Sequence, residues 1–486
     1  MVSTLKYICL SDLHLGADYS LLTWMGEDGK VDLRQPSETL AALGKALRQY
    51  VKNLSGSAPP TLVLMGDVLD LGQSPYGEVV QGFRRFVETL FPAGEPLVFS
   101  TELITVPGNH DHHLWSTAQD QHLLEQLAPT LGPEVIPVRR ESTPLFQSGH
   151  WHCSLLTSVM RGYPHLQETH VDLAYPNLGF LNADGSRGVV LHHGHYVDAT
   201  YLAMSTLNAQ MKGTSGRPRK IDSVERQNGA WVDFLFSDLG SSGAVGKDVV
   251  TLYETLRDAG ALHAFSQQLS ARLLKLLAGG LGVGGNTEIA YGITVANVVK
   301  ALVDVTLVRG AESERDSYAR VMSADGLADL RWYLSGPVQQ QLKDEGRIAG
   351  LDHLSFVFGH THKPFQDQLS VAGYAHPVCI YNTGGWVMDQ PTMTPTQGAA
   401  AVFIDDEMNL ASLRLFNDPV NGEFAPVRAA GVGGFEDQDN PLLARMNEAL
   451  RPSAAAWADF STQARAAAQR HARVLLQTFF TPPPSQ

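Results

Sequence analysis

Leu5-Lys6-Tyr7-Ile8-Cys9-Leu10-Ser11-Asp12-Leu13-His14 opens the chain with an apolar run that stops at a serine, and an acid and an imidazole follow at once. Tyr7 to Leu10 reads as a buried strand, because a short apolar run bounded by polar residues buries both faces. Asp12 and His14, two residues apart just beyond its end, can point side by side. The same grammar recurs at Thr61 to Met65, Leu103 to Val106, Gly188 to Leu191 and Leu354 to Phe358, each run ending in glycine or polar residues. Between the early runs the period changes: Leu40, Leu43, Leu47 and Tyr50 share one helical face, and Phe83, Phe86, Val87 and Leu90 share another. Strand alternating with helix predicts an α/β sheet.

After Tyr196 helical periodicity dominates as far as about Gly350, with Leu269, Leu273, Leu276 and Leu277 on one face and Val295, Val298, Val299 and Leu302 on another. This stretch reads as an inserted helical subdomain. Strand-like Ala399 to Phe403 and Leu410 to Leu415 follow, then a helical tail from about Asn440 whose segment from Ser453 to Gln469 is rich in alanine. The expected organisation is a core in two parts, residues 1–195 and 351–420, a helical insertion over 196–350, and a C-terminal helical tail over 421–486. The tail's function is not encoded in its composition.

Composition narrows the function classes. The 486 residues are 44% hydrophobic and 18% charged, the balance of a soluble globular protein. A net charge of −14 opposes a surface that tracks a nucleic-acid backbone, which needs clustered Lys and Arg. It does not oppose an anionic substrate, because bound divalent cations invert the local field of an acidic protein. Three widely spaced cysteines, Cys9, Cys153 and Cys379, suit neither a disulfide framework nor a zinc module, and a reducing cytoplasm fits them best. No apolar run has membrane-spanning length, and the strand begins too early to leave space for a signal peptide.

Five short motifs fall at the C-terminal ends of the expected strands, where open α/β sheets gather their ligands. They are Asp12-Leu13-His14, Gly66-Asp67-Val68-Leu69-Asp70, Gly108-Asn109-His110-Asp111, His193-Gly194-His195 and Gly359-His360-Thr361-His362. Any one of them is weak alone, since polar residues cap strands and form turns everywhere. Together they supply paired oxygen and imidazole donors of the kind a binuclear site needs. Mixed N and O donors suit Mn, Fe or Zn rather than calcium, and the absence of thiolate disfavours a closed structural zinc site.

In order and spacing these motifs resemble the signature of the calcineurin-like metallophosphoesterase family, over Lys6 to Asn109 and again over His193 to Trp386. The resemblance implies a β-sandwich flanked by helices and two divalent or trivalent metal ions. It places Asp12, His14 and His362 on one metal, Asn109, His193 and His360 on the second, and Asp67 between them. It implies hydrolysis of a phosphate mono- or diester by a hydroxide bridging the two ions, with a phosphorylated small-molecule or lipid-like substrate. His110 resembles the family's proton-donating histidine, and Asp111 is expected to fix its ring. The early motifs and His193-Gly194 also look like UDP-diacylglucosamine pyrophosphohydrolases, which carry an arginine where this chain has His110. A nuclease is opposed by the charge and by the lack of interleaved aromatic and basic residues. A non-catalytic scaffold of the same fold is opposed by the full set of donors. The motifs fix neither the leaving group nor an oligomeric state.

The remaining residues carry less. His192 is expected to pack behind the strand or support a ligand, His195 occupies a position where a secondary role near the metals is one of two readings, and His112 and His113 are expected to be loop residues, with a substrate contact by one of them as the alternative. Asp70 is expected to hold a ligating histidine. Gly280, Gly282 and Gly285 match a dinucleotide-binding pattern but follow a helical segment, so the required strand is missing and the match is discarded. Lys212, Arg217, Arg219 and Lys220 read as a solvated loop, with a substrate phosphate or an anionic lipid surface as the alternative contact.

Overall fold

The computed structural model describes residues 3–127, 138–146, 151–238, 288–290, 293–294 and 321–480, except positions 57, 215, 389, 418, 421–422, 425, 434–436 and 438. The helical faces expected at 269–277 and 295–302 and the glycines at 280, 282 and 285 lie outside the described residues.

The opening run forms β1 (Leu5–Leu10), followed by β2 (Thr61–Leu64), β3 (Glu102–Thr105) and β4 (His170–Leu173), all parallel neighbours in that order. A second sheet begins with β5 (Asn177–Leu181) and β6 (Arg187–His192). A separate antiparallel pair, β7 (Glu288–Ala290) and β8 (Ile293–Thr294), falls within the expected helical insertion. Then come β9 (His353–Phe358), β10 (Phe365–Leu369), β11 (Val378–Asn382), β12 (Ala399–Asp405), β13 (Leu410–Phe416), the small pair β14 (Pro419–Val420) and β15 (Glu423–Phe424), and β16 (Arg428–Ala430). The seven-stranded sheet has the order β16-β13-β12-β1-β2-β3-β4 and the five-stranded sheet the order β10-β11-β9-β6-β5.

The period of two along each strand explains how the sheets stack. Cys9, Val63, Ile104, Val402 and Ile404 of the larger sheet join Val189, Leu191, Val357 and Tyr381 of the smaller in one buried cluster, the filling between the sheets. The alternate residues Ile8, Leu10, Leu62, Leu64, Phe356 and Phe358 face outward, into the cluster beneath the helices. Both faces of these strands are therefore dry, and the apolar runs show no hydrophilic alternation.

The expected helical faces are the buried faces of α1 (Glu38–Leu54) and α2 (Tyr76–Leu90). The Ser37 side chain caps α1 by accepting from the Leu40 amide at 3.0 Å, a contact whose loss costs about 1 kcal/mol. Short helices α3 (His113–Gln126) and α4 (Ser154–Arg161) follow β3, and α5 (Ala203–Met211) and α6 (Ile221–Val232) follow β6. Two helices leading into β9, α7 (Ala324–Tyr333) and α8 (Gln339–Asp344), lie against the five-stranded sheet. Tyr333 donates to Asn177 Oδ1 at 2.9 Å and its ring packs 6.1 Å from Phe356. The C-terminal helix α9 (Pro441–Phe480) is integral to the packing. Its Leu442, Met446, Trp457 and Phe460 are buried, and the Tyr50 hydroxyl of α1 donates to the Met446 carbonyl at 2.9 Å. No helix among the described residues is long and apolar enough to cross a membrane.

Candidate metal centre

The loops after β1 and β2 are zipped together by backbone hydrogen bonds, Asp12 N to Gly66 O at 3.0 Å and His14 N to Asp67 O at 2.9 Å. This places the first two motifs side by side. On the other sheet Gly359 N donates to the His193 carbonyl at 2.7 Å, which does the same for the last two. Trp386 N donates to the Asp12 carbonyl at 3.1 Å and joins the two groups across the sandwich.

The backbone at these positions is unusual. Asp12, His14, Asp67, His360 and His362 have φ of 51°, 45°, 48°, 67° and 57°, the left-handed region, and only Met408 and Asn417 share it among the described non-glycine residues. Such conformations cost on the order of 1 kcal/mol each and persist where a site over-determines them. Gly66 has φ +80°, and a Cβ there would stand 2.5 Å from His193 Nδ1, so no side chain fits between the second strand's loop and that ring.

All seven residues expected as ligands converge, and none is more than 4% exposed. Three overlapping groups have donor atoms within 4.8 Å of one another: Asp12, His14 and His362; His14, Asp67 and His110; Asp67, His193 and His360. Asn109 joins the third, with Oδ1 3.1 Å from His193 Nε2.

Hydrogen bonds decide which atoms point inward. His193 Nδ1 donates to the Met65 carbonyl at 3.0 Å, so in the neutral ring Nε2 carries a lone pair. That lone pair faces Asp67 Oδ2 at 3.3 Å and Asn109 Oδ1 at 3.1 Å. His14 Nδ1 donates to Asp70 at 3.0 Å, which leaves Nε2 3.8 Å from the same Asp67 Oδ2. Asp67 Oδ1 accepts from the His110 amide at 2.8 Å, while Oδ2 and His14 Nε2 are buried with no hydrogen-bond partner. Lone pairs converging in a dry site repel one another unless a cation or a proton lies among them. These residues fit divalent metal ions.

The electrostatics agree. Burial opposes charging His193, yet the Asp67 and Asp12 carboxylates outweigh it and push its pKa up to about 9. Burial alone would raise Asp67, but His193, His110 and His14 hold it well below the usual carboxylate range. The cavity demands positive charge.

A family model for calcineurin-like phosphoesterases matches residues 5–278, more than half of the 486-residue chain. The chain belongs to the calcineurin-like phosphoesterase family. Among curated proteins none matches it. Membership carries phosphoester hydrolysis as the general chemistry and accounts for the α/β sandwich flanked by helices. The matched stretch stops before His360 and His362, which the fold nonetheless brings to the same cluster of this phosphoesterase.

Around the cluster the structure reassigns several roles. Asp70 holds two histidines, His14 and His110, each Nδ1 at 3.0 Å, and also accepts from Tyr19. Asp111 was expected to fix the His110 ring and does not. Its carboxylate accepts from the amides of Gly108 at 2.6 Å, Asp67 at 3.2 Å, Val68 at 2.9 Å and Leu69 at 3.3 Å, because the chain turns between 110 and 111 and sends adjacent side chains apart. It ties the Asp67 loop to the Asn109 loop, and burial and the Asp67 charge raise its pKa to about 6.

His112, expected to be a loop residue, is buried before α3, where Nδ1 donates to Asp233 at 3.1 Å and Nε2 to Glu225 at 3.2 Å. Both ring nitrogens donating means an imidazolium. Burial disfavours that charge, but the two carboxylates raise the pKa to about 9. Glu225, on α6, also accepts from Tyr175 at 2.9 Å and from Tyr196. His195 stands beside His193 with ring centroids 5.7 Å apart, but its Nε2 bonds the Tyr175 hydroxyl at 3.2 Å, so it belongs to this tyrosine network. His192 accepts from the Gly194 amide at 2.7 Å and packs 4.7 Å from the Tyr333 ring. His113 begins α3 and faces Asp233 at 3.9 Å. Of the basic cluster, Arg217 is not a solvated loop residue: it pairs with Asp329 at 2.6 Å and lies 5.1 Å over the Trp332 ring. Glu225, Asp233, Ser237 and Asp198 went unnoticed in the sequence. Each has a partner more than a hundred positions away, and such a contact leaves no local signal.

Proposed function

We propose that the protein is a two-metal phosphoesterase in which Asp12, His14 and His362 hold one ion, Asn109, His193 and His360 the other, and Asp67 bridges them. The convergence of His193 Nε2, Asn109 Oδ1 and the buried Asp67 Oδ2 carries this reading, since lone pairs gathered in a dry site call for positive charge among them, which a metal ion supplies. Bound there, the pair of ions supplies an activated water near neutral pH and draws charge from the phosphoryl oxygens.

The chain's own residues do the rest. Asp70 and the Met65 carbonyl fix the tautomers of His14 and His193, and four amides anchor Asp111 so that the Asp67 and Asn109 loops keep register. With His110 Nδ1 on Asp70, Nε2 is the nitrogen that would give a proton to the leaving oxygen. His110 also stands close enough to His14 and Asp67 to be a ligand. The variant His110→Asn separates these roles: we expect two metals retained and kcat lowered by about 10²-fold for alkyl esters, with a smaller loss for nitrophenyl esters. Loss of a metal would make His110 a ligand.

Substrate choice falls to the residues after β6. Tyr201 packs 5.0 Å from the His360 ring and 4.6 Å from Phe236, and the Ser237 hydroxyl donates to the Asn109 carbonyl at 2.8 Å. In this reading the described segment that begins the insertion, with Tyr201 and Phe236 beside His360, contacts an apolar or bulky substituent of the substrate. Its test is metal content by mass spectrometry together with Mn-supported hydrolysis of nitrophenyl phosphate, bis-nitrophenyl phosphate, and nucleotide-sugar and lipid pyrophosphates. Two ions per chain with turnover of the mono- or diester is the expected result. Preference for the pyrophosphates would instead favour a pyrophosphohydrolase, and a metal-free, inactive protein would leave a scaffold.

A further inference from the structure

A histidine that binds a cation through one nitrogen is oriented by whatever holds the other. His14 is held by Asp70 and His193 by the Met65 carbonyl, both from the seven-stranded side of the sandwich. His360 lies on the opposite side, and Asp198 faces its ring there, with Oδ2 3.6 Å from His360 Nε2. The carboxylate is fixed in that direction because Oδ1 accepts from the Thr200 amide at 2.8 Å. Its side chain is 15% exposed, so little water competes for the contact. Tyr201, from the same turn, packs against the edge of the His360 ring.

We propose that Asp198 is the positioning residue for His360: its carboxylate, facing Nε2 at 3.6 Å, keeps the proton on that nitrogen by its charge, and Nδ1 is thereby the nitrogen turned toward Asp67 and His193. The mode is the reverse of His14 and His193, where Nδ1 is anchored and Nε2 faces the cluster. Asp198 is donated by the first turn beyond His193-Gly194-His195, where the chain leaves the core. The segment entering the insertion therefore sets the cation affinity of one half of the centre, and a deletion that begins directly after His195 removes a support of His360 along with the insertion. This inference rests on the two-metal reading.

The test is manganese binding to the metal-stripped full chain by calorimetry, in wild type, Asp198→Asn and Asp198→Ala, with thermal melting of the metal-free forms and visible spectra of the cobalt-loaded forms. In Asp198→Ala we expect one of two affinities to fall by roughly 10–100-fold and the other to hold. Asp198→Asn, whose amide oxygen can still face Nε2–H but without the full charge, should lose less. Metal-free melting temperatures and the cobalt spectrum at saturation should match wild type. Two wild-type affinities in Asp198→Ala would overturn the proposal, as would equal weakening of both with a lower metal-free melting temperature, which marks a structural role. A changed cobalt spectrum at saturation would make Asp198 a ligand itself. Fewer than two ions in the wild type would sink the two-metal reading beneath it, whatever the variants do.

Discussion

In the Asp67→Asn variant, turnover falls by on the order of 10³-fold or more and at least one metal is lost from each chain. The reason is specific to the geometry. Oδ1 is committed to the His110 amide at 2.8 Å, and Oδ2 faces His193 Nε2 at 3.3 Å and His14 Nε2 at 3.8 Å. An amide group in that place can turn its NH₂ to the imidazole lone pairs and satisfy them by hydrogen bonding. The charge that two cations would share is gone, and so is the electrostatic demand for them. Mass spectrometry of the purified variant and kcat on nitrophenyl phosphate are the measurements. Unchanged stoichiometry with full activity would remove the bridging assignment.

The second large effect is on stability. Glu225→Leu takes the acceptor from two buried tyrosine hydroxyls and one of two counter-charges from the buried His112 imidazolium, so urea melts should show a loss of about 3–5 kcal/mol. The pH dependence has a definite sign. Burial lowers the His112 pKa, but Glu225 and Asp233 raise it from an ordinary 6.5 to about 9. A raised folded-state pKa contributes stability that is complete below the unfolded value and is lost as pH climbs through the folded one. Wild type should therefore lose up to about 3 kcal/mol between pH 6.5 and 9, by linkage of this one group. Glu225→Leu should lose less over the same window, and parallel curves would show that His112 is not charged in the fold.

What the sequence makes legible follows from where information is local. β1, β2, β3, β6 and β9 are dry on both faces and write themselves as apolar runs, and the candidate ligands stand within a few residues of their ends. β10 does not: Phe365-Gln366-Asp367-Gln368-Leu369 is an edge strand whose middle faces solvent, and it has no apolar run to read. β4, another edge, alternates as His170-Val171-Asp172-Leu173 with only Val171 and Leu173 buried. The site shows the same division. Asp12 and His14 are found by spacing, whereas the group that holds His110 is Asp70 rather than its neighbour Asp111, since adjacency along a turning backbone separates side chains. Asp198 shows locally only as the cap of a short turn, through its bond to Thr200, and its approach to His360 exists only once β9 has paired with β6.

The central position of β1 has a consequence for synthesis. Its neighbours are β2, which is made soon afterwards, and β12, whose Val402, Phe403 and Ile404 pair with Cys9, Ile8 and Tyr7 and leave the ribosome almost four hundred residues later. The apolar face of α1 waits longer still, for α9. Until then a nascent chain displays one open edge of β1 and an uncovered helix, both prone to pairing with other chains. Contacts so distant in sequence are slow to close even after release. Yield in a cell will therefore track the supply of chaperones that shield these surfaces, more than the final stability of the sandwich.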